Sequence, residues 1–413
     1  MDRSFERKRW TLLIIGTVVL MFAGLIYAWS VLSTPLYGLG WTDTAITFNY
    51  TLTGIFFAVG GVVSGLLSKR IAVRARLLLS AALMTGGFWI ASTLDRGDDI
   101  VKLYLAYGFM AGLAIGIVYN AVISAVNLWF PDRSGTSSGL MLAGFGLGSF
   151  FISLIAGRLM AGGVMGWRMV YRVLGSISGF VLLVGALTVA PPSADVRLPA
   201  ARSGSEMRTS VYSFRPGEMV KTSTFWLLVV LFSFLAGLGN CVMASSRQII
   251  LSVNVAEGTA ILISSLVSIT NTVGRLSAGA IIDRFGLRAA RIFSTALAIV
   301  SCLVISTGLL AASAPLCTAG FFILGFTYGF PGTLTSATAL DYFGPDNYSL
   351  NYSIINSDSA ICALFPTVFT GISVAGGSYL HGFVFLIAMG VIALLSAILI
   401  RRPVPRTAPS NGG

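Results

Sequence analysis

Charged side chains are scarce in this sequence. Asp, Glu, Lys and Arg make up only 10% of the 413 residues, whereas a soluble domain carries about a quarter. Apolar residues make up 55%, more than a soluble protein of this length can hide beneath a polar surface. The mean hydropathy of +0.86 agrees with this excess. The composition therefore excludes a soluble globular protein and predicts an integral membrane protein whose solvent is lipid.

The residues on which enzymes and metal sites depend are also few. The single histidine, His381, falls near the start of the last apolar run, and the sequence contains neither a zinc-binding HExxH motif nor a phosphate-binding loop. The four cysteines lie far apart inside apolar segments, where they act as small hydrophobic residues. They are Cys241, Cys302, Cys317 and Cys362. The sequence predicts no enzyme activity, no metal and no cofactor.

The formal net charge is +12, but the basic residues occupy short segments between apolar runs. This arrangement is typical of membrane topology and not of a nucleic-acid surface. With both termini in the cytoplasm, basic residues on the inside outnumber those on the outside by roughly three to one. The outer segments then contain only Arg96, Lys102, Arg158, Arg168, Arg172 and Arg247. We therefore expect a multi-pass protein of the cell (inner) membrane with cytoplasmic N- and C-termini.

Twelve apolar runs are long enough to cross a bilayer, which takes about 20 residues. Six lie in the N-terminal half, at residues 11–35, 45–67, 76–94, 101–128, 135–159 and 170–190. Six more follow at residues 223–246, 257–282, 289–311, 315–339, 348–375 and 381–400. The sequence predicts an all-α membrane protein of twelve transmembrane helices. Its six-helix halves cover residues 1–190 and 222–413, and a polar cytoplasmic loop over residues 191–221 joins them.

A short motif occurs once in each half. Residues 65–74 read GLLSKRIAVR and residues 279–288 read GAIIDRFGLR, each at the cytoplasmic end of an even-numbered predicted helix. Subtracting 65 from 279 gives an offset of 214 residues, close to half the chain, as two parallel six-helix repeats require. The motif resembles the loop between helices 2 and 3, and 8 and 9, of the major facilitator superfamily, which implies that fold. The first copy departs from the family pattern because Lys69 stands where an acidic residue is usual.

Two further segments resemble the oxalate/formate antiporter and monocarboxylate transporter group of that superfamily. The first is residues 24–31, GLIYAWSV. The second runs from Tyr107 through Tyr119 to the segment WFPDRSG at residues 129–135. The resemblance covers nearly the whole chain. It implies a carrier of small organic anions whose site is exposed to the two sides of the membrane in turn.

Arg275 bears most directly on function. It lies eight residues before Asp283, which places it roughly 12 Å from the cytoplasmic end of helix 8, near the middle of the hydrocarbon core. A buried arginine there needs an aqueous cavity or an anionic partner, and its planar guanidinium matches a carboxylate. In the resembled family, an arginine at this position binds the substrate carboxylate; a structural ion pair is the alternative. Asn271 shares the helix face and either donates to the same anion or joins helices.

Aromatic and apolar residues complete the predicted site. Tyr119 lies at a similar depth in helix 4, and Tyr328 lies in helix 10; each hydroxyl can donate to a carboxylate, with simple packing as the alternative. Leu25 and Leu142 are expected to limit the pocket to short acids. Cys362 in helix 11 is expected to line it.

Two acidic residues are candidates for proton coupling. Asp358 lies mid-membrane in helix 11, where a carboxylate is costly unless it is paired or protonated; a structural helix contact is the alternative. Glu257 lies near the outer end of helix 8. Ser359 stands where the resemblance places a lysine in oxalate/formate exchangers, which implies one fixed positive charge instead of two and favours a monocarboxylate.

These residues together predict a secondary transporter that moves a small, lactate- or pyruvate-like monocarboxylate with a proton by alternating access. One alternative is an exchanger of formate- or oxalate-type anions. A second is a membrane sensor that binds the acid without moving it. The expected partners are the monocarboxylate anion, the proton and membrane lipid, with no nucleic acid, and we expect the protein to function as a monomer.

Overall fold

The computed structural model describes residues 3–161, 163–193, 196, 198–199, 212–362 and 364–404. Every regular element among these residues is a helix, which confirms the predicted all-α class. The chain divides into two compact units. The first comprises Met1–Pro131 and Leu140–Ala200, and the second comprises Asp132–Gly139 and Ala201–Gly413.

The first unit is organised around one central helical segment. Its helices are α1 (Arg3–Ala23), α2 (Trp29–Leu32), α3 (Asp43–Leu67), α4 (Val73–Ala91), α5 (Ile100–Leu103), α6 (Gly112–Asn127), α7 (Ser134–Ala161, whose first turns belong to the second unit) and α8 (Trp167–Thr188). A π-helical segment, Tyr104–Ala111, joins α5 to α6. In an apolar 18-residue stretch of the span Ile100–Asn127, 83% of the residues are buried, a larger share than in any other candidate membrane span described, so this span forms the centre of the unit.

The first membrane span differs from its prediction. The sequence predicts one helix over residues 11–35, whereas α1 begins at Arg3 and ends at Ala23. A 3-10 segment, Gly24–Ala28, follows it. Glycine has low helix propensity, and Gly24 is required where α7 passes, because a Cβ there would lie 2.1 Å from the Phe145 carbonyl oxygen. The prediction of a single continuous helix was therefore wrong at this end.

In the second unit, two successive helices meet at Gly286 and share the label α11 (Glu257–Leu310). Its helices are α9 (Pro216–Met219), α10 (Ser223–Leu251), α11 (Glu257–Leu310), α12 (Ala314–Tyr328), α13 (Phe330–Phe343), α14 (Tyr348–Asn356), α15 (Ser359–Cys362), α16 (Phe365–Ala375) and α17 (Tyr379–Leu399). α11 bends at Gly286, whose φ of +83° is readily adopted only by glycine. α11 therefore supplies both the eighth and the ninth predicted spans.

The eleventh predicted span, residues 348–375, is discontinuous. α14 ends at Asn356, and the four-residue α15 begins at Ser359. α16 has Pro366 in its first turn. Proline is tolerated there because its missing N–H would have no partner within the helix, but a helix that ran on through the proline from the preceding residues would be strained. Asp358 lies in the first break. Interrupted helices occur inside membrane proteins only where the surrounding protein or water satisfies the freed backbone groups.

Ten helices among the described residues are long and apolar enough to cross a membrane. One of them, Gly258–Leu310, has 53 residues, more than twice the roughly 20 that a crossing needs, and it supplies two crossings because it bends at Gly286. α1 is not among the ten because its first turns are charged, and it begins the remaining predicted crossing, residues 11–35. These helices account for the twelve predicted crossings.

A side chain from α11 caps the start of α7. The Asp283 carboxylate accepts hydrogen bonds from the backbone N–H groups of Gly135, at 3.0 Å, and Thr136, at 2.8 Å, and from the Thr136 hydroxyl. The first N–H groups of a helix have no partner within the helix and carry partial positive charge, so a carboxylate stabilises them. Lys69, the counterpart of Asp283 in the first copy of the repeat, cannot accept hydrogen bonds in this way.

Two glycines let α11 pack directly against the α12–α13 pair. A Cβ on Gly329 would lie 2.4 Å from the backbone nitrogen of Arg275 and 2.4 Å from the carbonyl oxygen of Asn271. A Cβ on Gly274 would lie 1.9 Å from the Phe326 carbonyl oxygen. The two backbones are therefore in contact, as small residues permit in membrane helices.

Replacing the capping carboxylate tests its contribution to stability. We expect Asp283→Ala to lower the free energy of unfolding by about 1–2 kcal/mol, because the first N–H groups of α7 lose their acceptor. Equilibrium unfolding in detergent measures the change. Asp346→Ala removes an exposed carboxylate from the same unit and should have little effect; an equal loss in both variants would contradict the capping role.

The helix contact at Gly329 can be tested with one methyl group. We expect Gly329→Ala to destabilise the protein by about 1–3 kcal/mol, because the added carbon has no space and the backbones must separate. The control is Gly371→Ala, since Gly371 lies inside α16 with no atom within 4 Å of its added Cβ. Similar melting temperatures for both variants would show that the contact is not tightly packed.

Candidate functional site

Asn271 and Arg275 lie one turn apart in α11. Arg275 is half-buried. Asn271 is only 6% exposed, and its Nδ2 has no hydrogen-bond partner within the described part of the chain. Leaving a buried N–H without an acceptor costs about 1–3 kcal/mol, so this group is a donor available to an anion that reaches Arg275.

Tyr328 is held close to these two residues by the glycine contact. It is the last residue of α12, and only Gly329, whose backbone stays α-helical, separates it from α13. Because Gly329 touches the backbone of both Asn271 and Arg275, Tyr328 lies at their level in the unit. The structure thus brings the main chains of three sequence-predicted residues together.

Sequence reasoning missed Asn240, which connects this group to α15. The Tyr328 hydroxyl donates to Asn240 Oδ1, and Asn240 Nδ2 donates to the Cys362 sulfur at 3.1 Å. The Tyr328 ring also covers Gly239, where a Cβ would lie 2.0 Å from the ring. The available signal was an amide among the apolar residues of α10, but its spacing alone does not identify its partners.

Asp358 and Cys362 form the other end of the same polar cluster. Asp358 is 7% exposed and Cys362 is 5% exposed. The Cys362 N–H donates to the Asp358 carbonyl at 3.0 Å, and the Cys362 thiol donates to the Ser359 carbonyl at 3.2 Å. A chain of contacts therefore links Tyr328, at the junction of α12 and α13, to Cys362, which lies one turn from Asp358.

The remaining candidates with described side chains belong to the first unit. Tyr119 is 8% exposed, and its ring packs against the rings of Phe57 and Phe145 at centroid distances of 5.2 and 5.1 Å. These T-shaped contacts fix the ring orientation. Leu142 is buried, and Leu25 is completely buried with its carbonyl 3.5 Å from the Tyr107 hydroxyl.

Glu257 is the first residue of α11. Its side chain lies outside the described residues, so its role in proton coupling stays a prediction. Within the described part of the chain, no group of three or more His, Cys, Asp or Glu side chains could hold a metal ion.

The polar cluster of the second unit offers a defined chemistry. It places a guanidinium and a buried amide donor on one face of α11, a phenol at the junction of α12 and α13, and a buried carboxylate between α14 and α15. Cationic and amide donors surrounded by apolar helices suit a small anion. A buried carboxylate suits the gain and loss of a proton.

The comparisons with known proteins agree in naming one family. A family model described as the Major Facilitator Superfamily matches residues 12–366 and again residues 242–413. The chain is 28% identical to the uncharacterised MFS-type transporter YhjX of Escherichia coli, with 85% of each protein covered. It is 26% identical to the oxalate:formate antiporter of Oxalobacter formigenes, over 87% of this chain and 83% of the antiporter.

A more distant relative and a solved structure extend the comparison. The chain is 26% identical to monocarboxylate transporter 3 of Rattus norvegicus, over 59% of this chain and 48% of that protein. A major facilitator proton:xylose symporter has the same fold, with a TM-score of 0.71 at 13% identity over 94% of this chain and 95% of the symporter. The predicted twelve-helix fold is thereby confirmed. The chain belongs to the Major Facilitator Superfamily of multi-pass membrane transporters.

Proposed function

We propose that this transporter moves a small monocarboxylate together with a proton by alternating access. The observation that carries the proposal is the buried Nδ2 of Asn271, which has no partner within the described residues and lies one turn from Arg275. A carboxylate has two oxygens, so it can bind the guanidinium and accept a hydrogen bond from the amide together.

The charge of the site favours a monoanion. Arg275 supplies one fixed positive charge, and Ser359 occupies the position where the resemblance places a second one. A dianion such as oxalate would keep one negative charge uncompensated in a low-dielectric site, which costs several kcal/mol or more. Lactate, pyruvate, acetate and formate each match a single arginine.

Asp358 supports the coupling of transport to a proton. Its carboxyl is buried where α14 is interrupted, and a buried carboxylate is more easily kept if it can take up a proton. When the proton travels with the acid, the net charge carried is zero, so the membrane potential neither drives nor opposes the cycle.

Anion exchange is the second candidate function. Its support is the relative named oxalate:formate antiporter, which matches this chain over most of its length. Monocarboxylate transporter 3 supports the first candidate over a shorter stretch. We further propose that the protein lies in the inner membrane, with both termini in the cytoplasm, and works as a monomer.

The anion site is tested by uptake of labelled L-lactate into proteoliposomes with an inward proton gradient. We expect Arg275→Gln to reduce uptake at least about tenfold, since a charged hydrogen bond contributes roughly 1.5–3 kcal/mol. Arg275→Lys should recover it only in part because lysine lacks the planar fork. Arg284→Gln, an exposed change in the same helix, is the control.

The same preparation separates the candidate functions. Competition by formate and pyruvate, but not by oxalate, supports the monocarboxylate site. Uptake that ignores the proton gradient and requires an internal anion would replace symport with exchange. Binding of the acid without any uptake or counterflow would indicate a sensor, and neither binding nor uptake would exclude this substrate class.

Proton coupling is tested at Asp358. We expect Asp358→Asn to abolish uphill accumulation of lactate driven by the proton gradient, because an amide cannot carry the proton. Counterflow of labelled for unlabelled lactate should persist, since the loaded site can still move. The control is Asp346→Asn, an exposed change. Accumulation that survives in Asp358→Asn would assign the proton to another group.

A further inference from the structure

A groove in the first unit lies at the N-terminal end of α1, apart from every residue of the proposed anion site. Its volume is about 600 Å³, and it is lined by Arg3, Arg7, Lys8, Thr11, Leu12, Ile15 and Thr188. The residues from α1 recur at intervals of three to five positions, so they form one stripe along the helix. The stripe changes from charged to apolar as α1 enters the membrane.

The cations of the groove are not neutralised by the nearest acid. Glu6 is the acidic residue among those described at this helix end, and it forms an ion pair with Arg9 at 2.7 Å and accepts a hydrogen bond from the Trp10 indole at 3.3 Å. Arg3, Arg7 and Lys8 have no ion pair with any described residue. The groove is therefore strongly basic.

The position of Lys8 is fixed by an aromatic ring. Its ammonium lies 5.1 Å from the centroid of the Trp129 ring, a cation–π contact. The Trp129 indole in turn donates to the Ala190 carbonyl at 2.8 Å. One of the three cations is thus held in place before any ligand binds, which lowers the entropic cost of binding.

The two hydroxyl groups of the groove donate to main-chain carbonyls, so they do not favour a soluble polar ligand. The Thr11 hydroxyl donates to the Arg7 carbonyl at 2.8 Å, and the Thr188 hydroxyl donates to the Val184 carbonyl at 2.8 Å. The donors left for a ligand are cationic, and the adjoining wall is formed by Leu12 and Ile15. The groove combines an anion site with an apolar surface that continues into the bilayer.

We infer that this groove binds an anionic phospholipid, with the phosphate on Arg3, Arg7 and Lys8 and an acyl chain along Leu12 and Ile15. Charge complementarity selects the phosphate, and the apolar wall selects a lipid over a free anion. Because α1 enters the membrane from its N-terminal end, the groove lies in the leaflet on that side, where lipid headgroups and acyl chains are both present.

The test titrates detergent-purified protein with phosphatidylglycerol and, separately, with phosphatidylcholine, counting bound lipid by native mass spectrometry. We expect wild type to prefer phosphatidylglycerol. The combined variant Arg3→Gln, Arg7→Gln, Lys8→Gln should weaken its binding about a hundredfold, since each basic residue near a membrane surface contributes about fivefold. The matched control Lys69→Gln, Arg70→Gln, Arg74→Gln removes the same charge from exposed positions of the first unit and should change binding little.

Three outcomes would overturn the inference. Equal binding of both lipids by wild type would show that the cations do not select the headgroup, and this result needs no variant. Equal weakening by both triple variants would show a general effect of net charge. Displacement of phosphatidylglycerol by excess inorganic phosphate, with no loss of lipid binding in Ile15→Ser, would identify a site for free anions instead.

Discussion

Lipid offers no hydrogen bonds, and this constraint governs how helices end in the chain. At the start of α7, the Asp283 carboxylate accepts hydrogen bonds from backbone N–H groups that have no partner within the helix. Near the end of α17, the guanidinium of Arg291 donates to the carbonyls of Ala397 and Ile400, each at 2.8 Å, and to the Tyr342 hydroxyl at 2.8 Å. Side chains from neighbouring helices thus perform the task that water performs in a soluble protein.

The proposed anion site departs from this pattern at Asn271, as do a few buried groups elsewhere among the described residues, such as Asn49 and Ser233. Arg291 is 3% exposed and its guanidinium is bonded on several sides, which is what a purely structural buried arginine requires. Asn271 is nearly as buried, yet its amide nitrogen has no partner within the described residues. Natural proteins seldom leave buried polar groups in this condition, so such a group calls for a functional explanation.

Hydrophobic length and the internal repeat were sufficient to predict the twelve-helix fold, because lipid imposes one length on every crossing. They could not predict the break at Asp358 or the 3-10 segment after Ala23, since hydropathy carries no information about backbone geometry. Arg275 was found because a charge in an apolar run is conspicuous. Asn240 was missed because its role depends on Tyr328 and Cys362, which lie on other helices.

The glycine contact between α11 and α12 has a consequence for redesign of the transporter. With no side chain between the two backbones at Gly274 and Gly329, the spacing of Arg275 and Tyr328 is set by main-chain atoms alone. In the proposed anion site, neighbouring side chains can therefore be enlarged or trimmed to suit acids of other sizes without moving Arg275 and Tyr328 apart. The size of the proposed pocket and the spacing of these two residues can thus be engineered one at a time.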